Sequence, residues 1–124
     1  MKGAGKYRLY GISNCNTVKK AREWLVQHRI EFEFHDFKRL GLEPAIARTW
    51  LQQADWARLV NRSGLTWRGL PEQRKQSIQD AEAALMLMLE KPSVIKRPVL
   101  ELSGKLLNIG FDDSAYSEIF NLKS

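Results

Sequence analysis

Residues 7–21 read Tyr7-Arg8-Leu9-Tyr10-Gly11-Ile12-Ser13-Asn14-Cys15-Asn16-Thr17-Val18-Lys19-Lys20-Ala21. The first four alternate, are rich in aromatic side chains and stop at Gly11, the pattern of a short strand ending in a turn. The period then changes: Val18, Ala21, Leu25 and His28 recur at three- and four-residue steps with Trp24 beside them, while Lys19, Lys20, Arg22 and Glu23 fill the other face. That spacing predicts a helix, with Ser13, Asn14, Asn16 and Thr17 as its candidate caps. Phe32 and Phe34 next alternate with Glu31, Glu33 and His35, which predicts a second strand with one apolar face. Strand, helix and strand within about 30 residues predict a parallel βαβ unit.

Outward from this unit the pattern becomes helical. Pro44 suits a first turn, and Ile46, Ala47, Trp50, Leu51 and Ala54 form one stripe, so residues 44–54 read as a helix. A brief helical piece over 56–60 follows. Residues 61–70 contain Ser63-Gly64 and Gly69 and read as a loop, after which Pro71 opens another helical turn. Over 79–90 the pattern is apolar on most sides, with Ala81, Ala84, Leu85, Met88 and Leu89 repeating, and Pro92 ends the segment. Trp24, Trp50, Trp56, Met86 and Met88 lie at helical spacings and read as core filling. The last third predicts an antiparallel hairpin, Val99-Leu100-Glu101-Leu102, a Ser103-Gly104 turn, then residues 105–109. Gly110 breaks the second strand, and Asp112, Asp113 or Ser114 caps a final helix carrying Ala115, Tyr116, Ile119 and Phe120.

The chain has 124 residues, 44% hydrophobic and 27% charged. That is enough for one compact domain that hides somewhat under about 70% of its unfolded surface. The longest uninterrupted apolar run, residues 83–89, is far short of the roughly 18 to 20 residues that cross a bilayer. The glycine-rich start, Met1-Lys2-Gly3-Ala4-Gly5-Lys6, has no apolar region of a secretory signal, so a cytoplasmic location is expected. A lone cysteine forms no internal disulfide and excludes a thiolate-rich structural metal site. His28 and His35 have no accompanying ligand pattern, so no metal is expected. The net charge of +6 favours anionic partners. The basic residues are interleaved with Asp and Glu and carry no nucleic-acid-binding signature, which disfavours nucleic acid and leaves a small anionic substrate.

Cys15 follows a strand-ending glycine and opens a helix whose first turns carry Lys19, Lys20 and Arg22. Free amide N–H groups and the positive end of the helix dipole favour an anion there, which lowers a thiol's pKa toward the nucleophilic thiolate. The plain alternative is a buried structural cysteine. Likewise, Arg97-Pro98 is either an X-Pro bond able to turn cis at modest cost or an ordinary proline opening an edge strand. The arginine's planar fork suits a carboxylate or oxyanion, against the alternative of a solvated surface charge.

The run Cys15-Asn16-Thr17-Val18-Lys19-Lys20-Ala21 after Gly11 resembles the arsenate-reductase-like family of thioredoxin-fold proteins. So do Leu59-Val60-Asn61-Arg62, Thr66-Trp67-Arg68, the stretch Pro92-Ser93-Val94-Ile95-Lys96-Arg97-Pro98-Val99-Leu100-Glu101, and Gly110-Phe111 near the end. The resemblance spans about residues 7–120 and is closest to the YffB subgroup, described as glutathione-dependent thiol reductases. It implies Cys15 as the catalytic cysteine and Arg97 as an active-site arginine, with Pro98 cis beside the nucleophile as in thioredoxin-like folds. A further family arginine precedes the loop where this chain has Asn61 and Arg62, which makes Arg62 a candidate; Asn14 and Thr17 complete the expected substrate-binding set. A third family arginine would fall near residues 108–110, where this chain has no basic residue, and that departure counts against arsenate. Regulators of the Spx type often carry a Cys-x-x-Cys pair, where this chain has Val18.

The resulting expectation is an α/β protein with a thioredoxin-like core, βαβ plus ββα, over residues 7–37 and 94–120, and a helical insertion over 43–91. Its expected activity is that of a single-cysteine, glutathione-dependent thiol-disulfide oxidoreductase with no bound cofactor and glutathione as co-substrate. The expected partners are glutathione or another small thiol or oxyanion and a glutaredoxin-type redox protein, and the expected state is a monomer. Arsenate reduction is the enzymatic alternative, and a non-catalytic Spx-like regulator binding RNA polymerase is the alternative of another class.

Overall fold

The computed structural model describes residues 6–121. Two compact units emerge among the described residues, one made of residues 6–36 together with 97–121, the other of Phe37–Lys96. The dividing points fall at the end of the second strand and directly before Arg97.

In the first unit, strand β1 (Tyr7–Gly11) leads into helix α1 (Asn16–Gln27) and strand β2 (Phe32–Asp36). The chain re-enters the unit as β3 (Val99–Leu102) and β4 (Lys105–Ile109), and closes with the last helix, Asp113–Ile119. The sheet order is β2-β1-β3-β4. β1 and β2 are parallel, with Leu9 opposite Phe34, and β3 is antiparallel to both β1 and β4. This is the expected βαβ plus ββα arrangement of a thioredoxin-like core. Leu9 and Leu100 from the central strands are fully buried with Ala21, Leu25 and Tyr116, and Trp24 joins them. Phe32, Phe34 and Leu107 extend the same apolar face. Each such large side chain contributes roughly 1.5 to 3 kcal/mol on burial. On the opposite face Arg8 meets Glu33 at 3.0 Å, and the Tyr10 hydroxyl donates to the buried Glu101 carboxylate at 3.3 Å.

Helix α1 ends one residue before the predicted stripe does. His28 is exposed and stacks on Trp24, ring centroids 3.8 Å apart. The stop is a backbone device: Ile30 N–H donates to Leu25 O and Arg29 N–H to Val26 O, with Arg29 at φ 58°. These two bonds close a Schellman motif, and Ile30 and Leu25 meet in the core as that motif favours.

The second unit is helical. Its elements are α2 (Phe37–Leu40), α3 (Pro44–Gln53), α4 (Trp56–Leu59), α5 (Leu65–Arg68), α6 (Glu72–Ser77) and α7 (Ala81–Glu90), followed by a 3₁₀ turn at Pro92–Val94. The final helix of the first unit is therefore α8. Pro44 occupies the first turn of α3, and Ala47 and Trp50 bury its inner face. α7 starts at Asp80, whose carboxylate accepts from Ala83 N–H at 2.8 Å, and buries Ala84, Leu85, Leu87 and Met88. Met86, expected in the core, is 58% exposed because the helix turns that position outward. The predicted loop at 61–70 holds one helical turn, α5, between Gly64 and Gly69; the glycines bracket a helix. No helix of the described residues is long and apolar enough to cross a membrane.

Candidate active site

The end of β1 and the start of α1 are packed tightly. A Cβ on Gly11 would lie 2.8 Å from Val18 Cγ2 and 3.2 Å from Cγ1, and Val18 is fully buried. Only a glycine lets the first turn of α1 close on the strand end this way. Between them Ser13 and Asn14 form an exposed turn, closed by Cys15 N–H donating to Ile12 O at 3.1 Å.

The residue at the N-cap is Cys15 itself, in an extended conformation, φ −91° and ψ 126°, and no side chain caps the helix with a full hydrogen bond. The expected caps Ser13, Asn14, Asn16 and Thr17 do not serve. The geometric reason is the turn, which delivers Cys15 to the position where the helix's unpaired amides gather. The thiol is free and partly exposed. Burial pushes its pKa up, but the Val18 N–H, the Arg97 side chain as a donor, the Thr17 N–H and the Arg97 charge outweigh that and hold it below the ordinary cysteine value. These influences act together on one sulfur, and they favour the thiolate.

Arg97 is partly buried, and its peptide bond to Pro98 is cis. The structure thus brings together Cys15, Arg97 and the Thr17 backbone, with Pro98 adjoining Arg97 and Asn14 exposed in the turn before the cysteine. Thr17's side chain is exposed, so its contribution to the thiol is through its N–H. One feature had no signal in the residue pattern. Gly110, at φ 86°, donates its N–H to Pro98 O at 2.8 Å, and its own carbonyl accepts from Asn108 Nδ2 at 2.8 Å.

Arg62 belongs to the helical unit. It is exposed, with its guanidinium carbon 5.4 Å from the centre of the Trp56 ring. Its neighbour Asn61 is committed to the backbone: its side-chain oxygen accepts from Ser63 N–H at 3.1 Å, and its own N–H donates to Val94 O at 2.8 Å. Asn61 is therefore a turn-former there. Thr66 and Ser93 share a 2.8 Å hydroxyl contact in the same unit. Among the described residues, no three His, Cys, Asp or Glu side chains converge as metal ligands. A cleft of about 920 Å³ lies at the other end of β1 and β2, lined by Lys6, Tyr7, Phe32 and Phe120 among others. It has no part in the cysteine's surroundings.

The model of the ArsC family matches residues 10–119, a span that begins within β1, takes in Cys15 and Arg97 and ends with α8. The chain belongs to the ArsC family. An uncharacterized protein of Haemophilus influenzae is 44% identical over 112 residues, 90% of this chain and 96% of that protein. Among solved structures, a protein described as YffB superposes with a TM-score of 0.86 at 44% identity, covering 92% of this chain and 98% of that one. An arsenate reductase (ArsC) related protein from Brucella melitensis superposes with a TM-score of 0.74 at 44% identity, covering 98% of this chain and all of the other, 100%. The fold of this ArsC-family chain is that of arsenate-reductase-like thiol oxidoreductases.

Proposed function

We propose that the protein is a glutathione-dependent thiol-disulfide oxidoreductase that works through Cys15 alone. The observation that carries this reading is a thiol at the N-cap of α1, drawn below its ordinary pKa by two backbone N–H groups and Arg97. In the first step the Cys15 thiolate attacks the glutathione sulfur of a mixed disulfide R–S–S–G. The S–S bond breaks, R–S⁻ leaves and takes a proton, and Cys15 is left joined to glutathione. In the second step a glutathione thiolate attacks the glutathione sulfur on Cys15. Oxidised glutathione leaves and the Cys15 thiolate returns. The net change is reduction of R–S–S–G by one glutathione thiol, with no second protein thiol required. The sequence holds one cysteine, so the second thiol must come from solution. A glutaredoxin-type protein is able to supply it in place of glutathione.

Arg97 suits the glutathione carboxylates, since its fork can hold one with two parallel bonds. A second reading, arsenate reduction with Cys15 attacking the oxyanion, is supported by the 44% identity to the ArsC-related Brucella protein. Intact mass separates the two. After oxidised glutathione, the protein is expected to gain one glutathione, to lose it again with reduced glutathione, and to gain none as Cys15→Ser. A covalent protein dimer as the sole product, or no adduct under conditions that modify free cysteine, contradicts the glutathione reading. Oxidation of glutathione that depends on added arsenate supports the second.

A further inference from the structure

The end of β4 carries a polar side chain for which the thiol chemistry has no direct use. Asn108 is partly buried, and its Nδ2–H donates to Gly110 O at 2.8 Å, two residues along the chain. Gly110 stands at φ 86°, in the left-handed region that a side chain resists. In that conformation its N–H donates to Pro98 O, also at 2.8 Å. Pro98 is bonded to Arg97, the charged side chain that acts on Cys15. Two hydrogen bonds and one peptide bond therefore connect the Asn108 amide to the guanidinium beside the nucleophile. We propose that Asn108 is a positioning residue: it fixes the turn at Gly110, the turn holds the Pro98 carbonyl, and the held Arg97-Pro98 corner keeps the guanidinium at Cys15.

The chemistry of the residue fits that role. An amide both matches the short reach to a carbonyl two residues on and adds no charge, so Arg97 remains the cation at the sulfur. Leucine has nearly the same shape but no donor, and alanine has neither.

This inference rests on the reading of Cys15 as the nucleophile, so the test begins with the unaltered protein. Its iodoacetamide reactivity is followed against pH; a midpoint that is not depressed overturns the nucleophile reading itself. With a depressed midpoint in hand, Asn108→Leu and Asn108→Ala are measured the same way. Both are expected to move the midpoint up toward that of an ordinary cysteine. Both are also expected to slow adduct formation with oxidised glutathione by roughly three- to tenfold, the size of one net hydrogen bond. A merely structural role would lower the melting temperature and leave the folded protein's midpoint in place. Unchanged midpoints and rates in both variants, with the unaltered protein depressed, overturn the positioning role alone. Should the variants fail to fold, the unaltered protein decides. The ¹⁵N resonances of the Gly110 amide and the Asn108 side chain are expected to titrate with the Cys15 midpoint and to stop titrating in Cys15→Ser. Flat resonances overturn the proposal.

Discussion

Arg97 does two jobs that a lysine could do only in part. It donates to the Cys15 sulfur and adds a positive charge beside it, both of which lower the thiol's pKa. On the proposed function it also grips a carboxylate of glutathione. Arg97→Lys keeps the charge but loses the planar fork. Losing a charge-assisted hydrogen bond of this kind costs roughly 1.5 to 3 kcal/mol, about one to two decades in kcat/KM for glutathione turnover. Arg68→Lys is expected to leave turnover near normal, since Arg68 donates to Ser63 O at 3.5 Å within the helical unit. Near-normal kinetics for Arg97→Lys, with folding intact by circular dichroism, remove Arg97 from the site. At this scale the sequence revealed the reacting residues better than their supports. Cys15 and Arg97 stand in recognisable runs, whereas the Asn108 contact depends on the φ of Gly110, which no residue pattern states. The helix cap is hidden for a related reason: cysteine is not among the usual capping residues, so the residue types favour the neighbouring Ser, Asn and Thr side chains over Cys15, which takes the N-cap.

Between residues and fold, the junction of β1 and α1 carries the site. Val18 packs where a Gly11 side chain would stand, and its N–H is one of the two that act on the sulfur. Gly11→Ala overpacks a fully buried, β-branched neighbour with little rotamer freedom. The expected loss is about 1 to 3 kcal/mol in urea unfolding, and slower alkylation of Cys15 at neutral pH. Adding Val18→Ala to Gly11→Ala is expected to recover part of the stability, because it empties the space the new methyl needs. A Gly11→Ala protein as stable as the parent contradicts this packing account. Strong periodicity made α1, α3, α7 and the hairpin legible in advance. The four-residue helices α2 and α5 were not, since one turn shows no period and Gly64 and Gly69 read as loop punctuation. The stop of α1 was also hidden, because Arg29 takes the left-handed position that glycine usually signals.

For the molecule as a whole, the net charge of +6 sets up a field that draws anions. Oxidised glutathione is an anion at neutral pH, so its reaction with Cys15 is expected to slow severalfold as salt is raised, the screening length falling from about 10 Å at 0.1 M to about 3 Å at 1 M. A neutral disulfide such as bis(2-hydroxyethyl) disulfide should show little of this dependence. Equal salt dependence for both contradicts a role for charge in substrate capture. The βαβ plus ββα order was readable because each piece has its own period and punctuation.

The proposed chemistry begins with a Cys15 thiolate at neutral pH. The direct test is the pH dependence of iodoacetamide alkylation of Cys15 in the folded protein, monitored by intact mass. The depressed pKa means that the thiolate, and with it the rate, persists as pH falls below the range where a free cysteine is already protonated. The midpoint is predicted to lie below the free value of about 8.5. A midpoint at or above that value, or a thiol that reacts only once the protein is unfolded, would contradict the account and return Cys15 to a structural role.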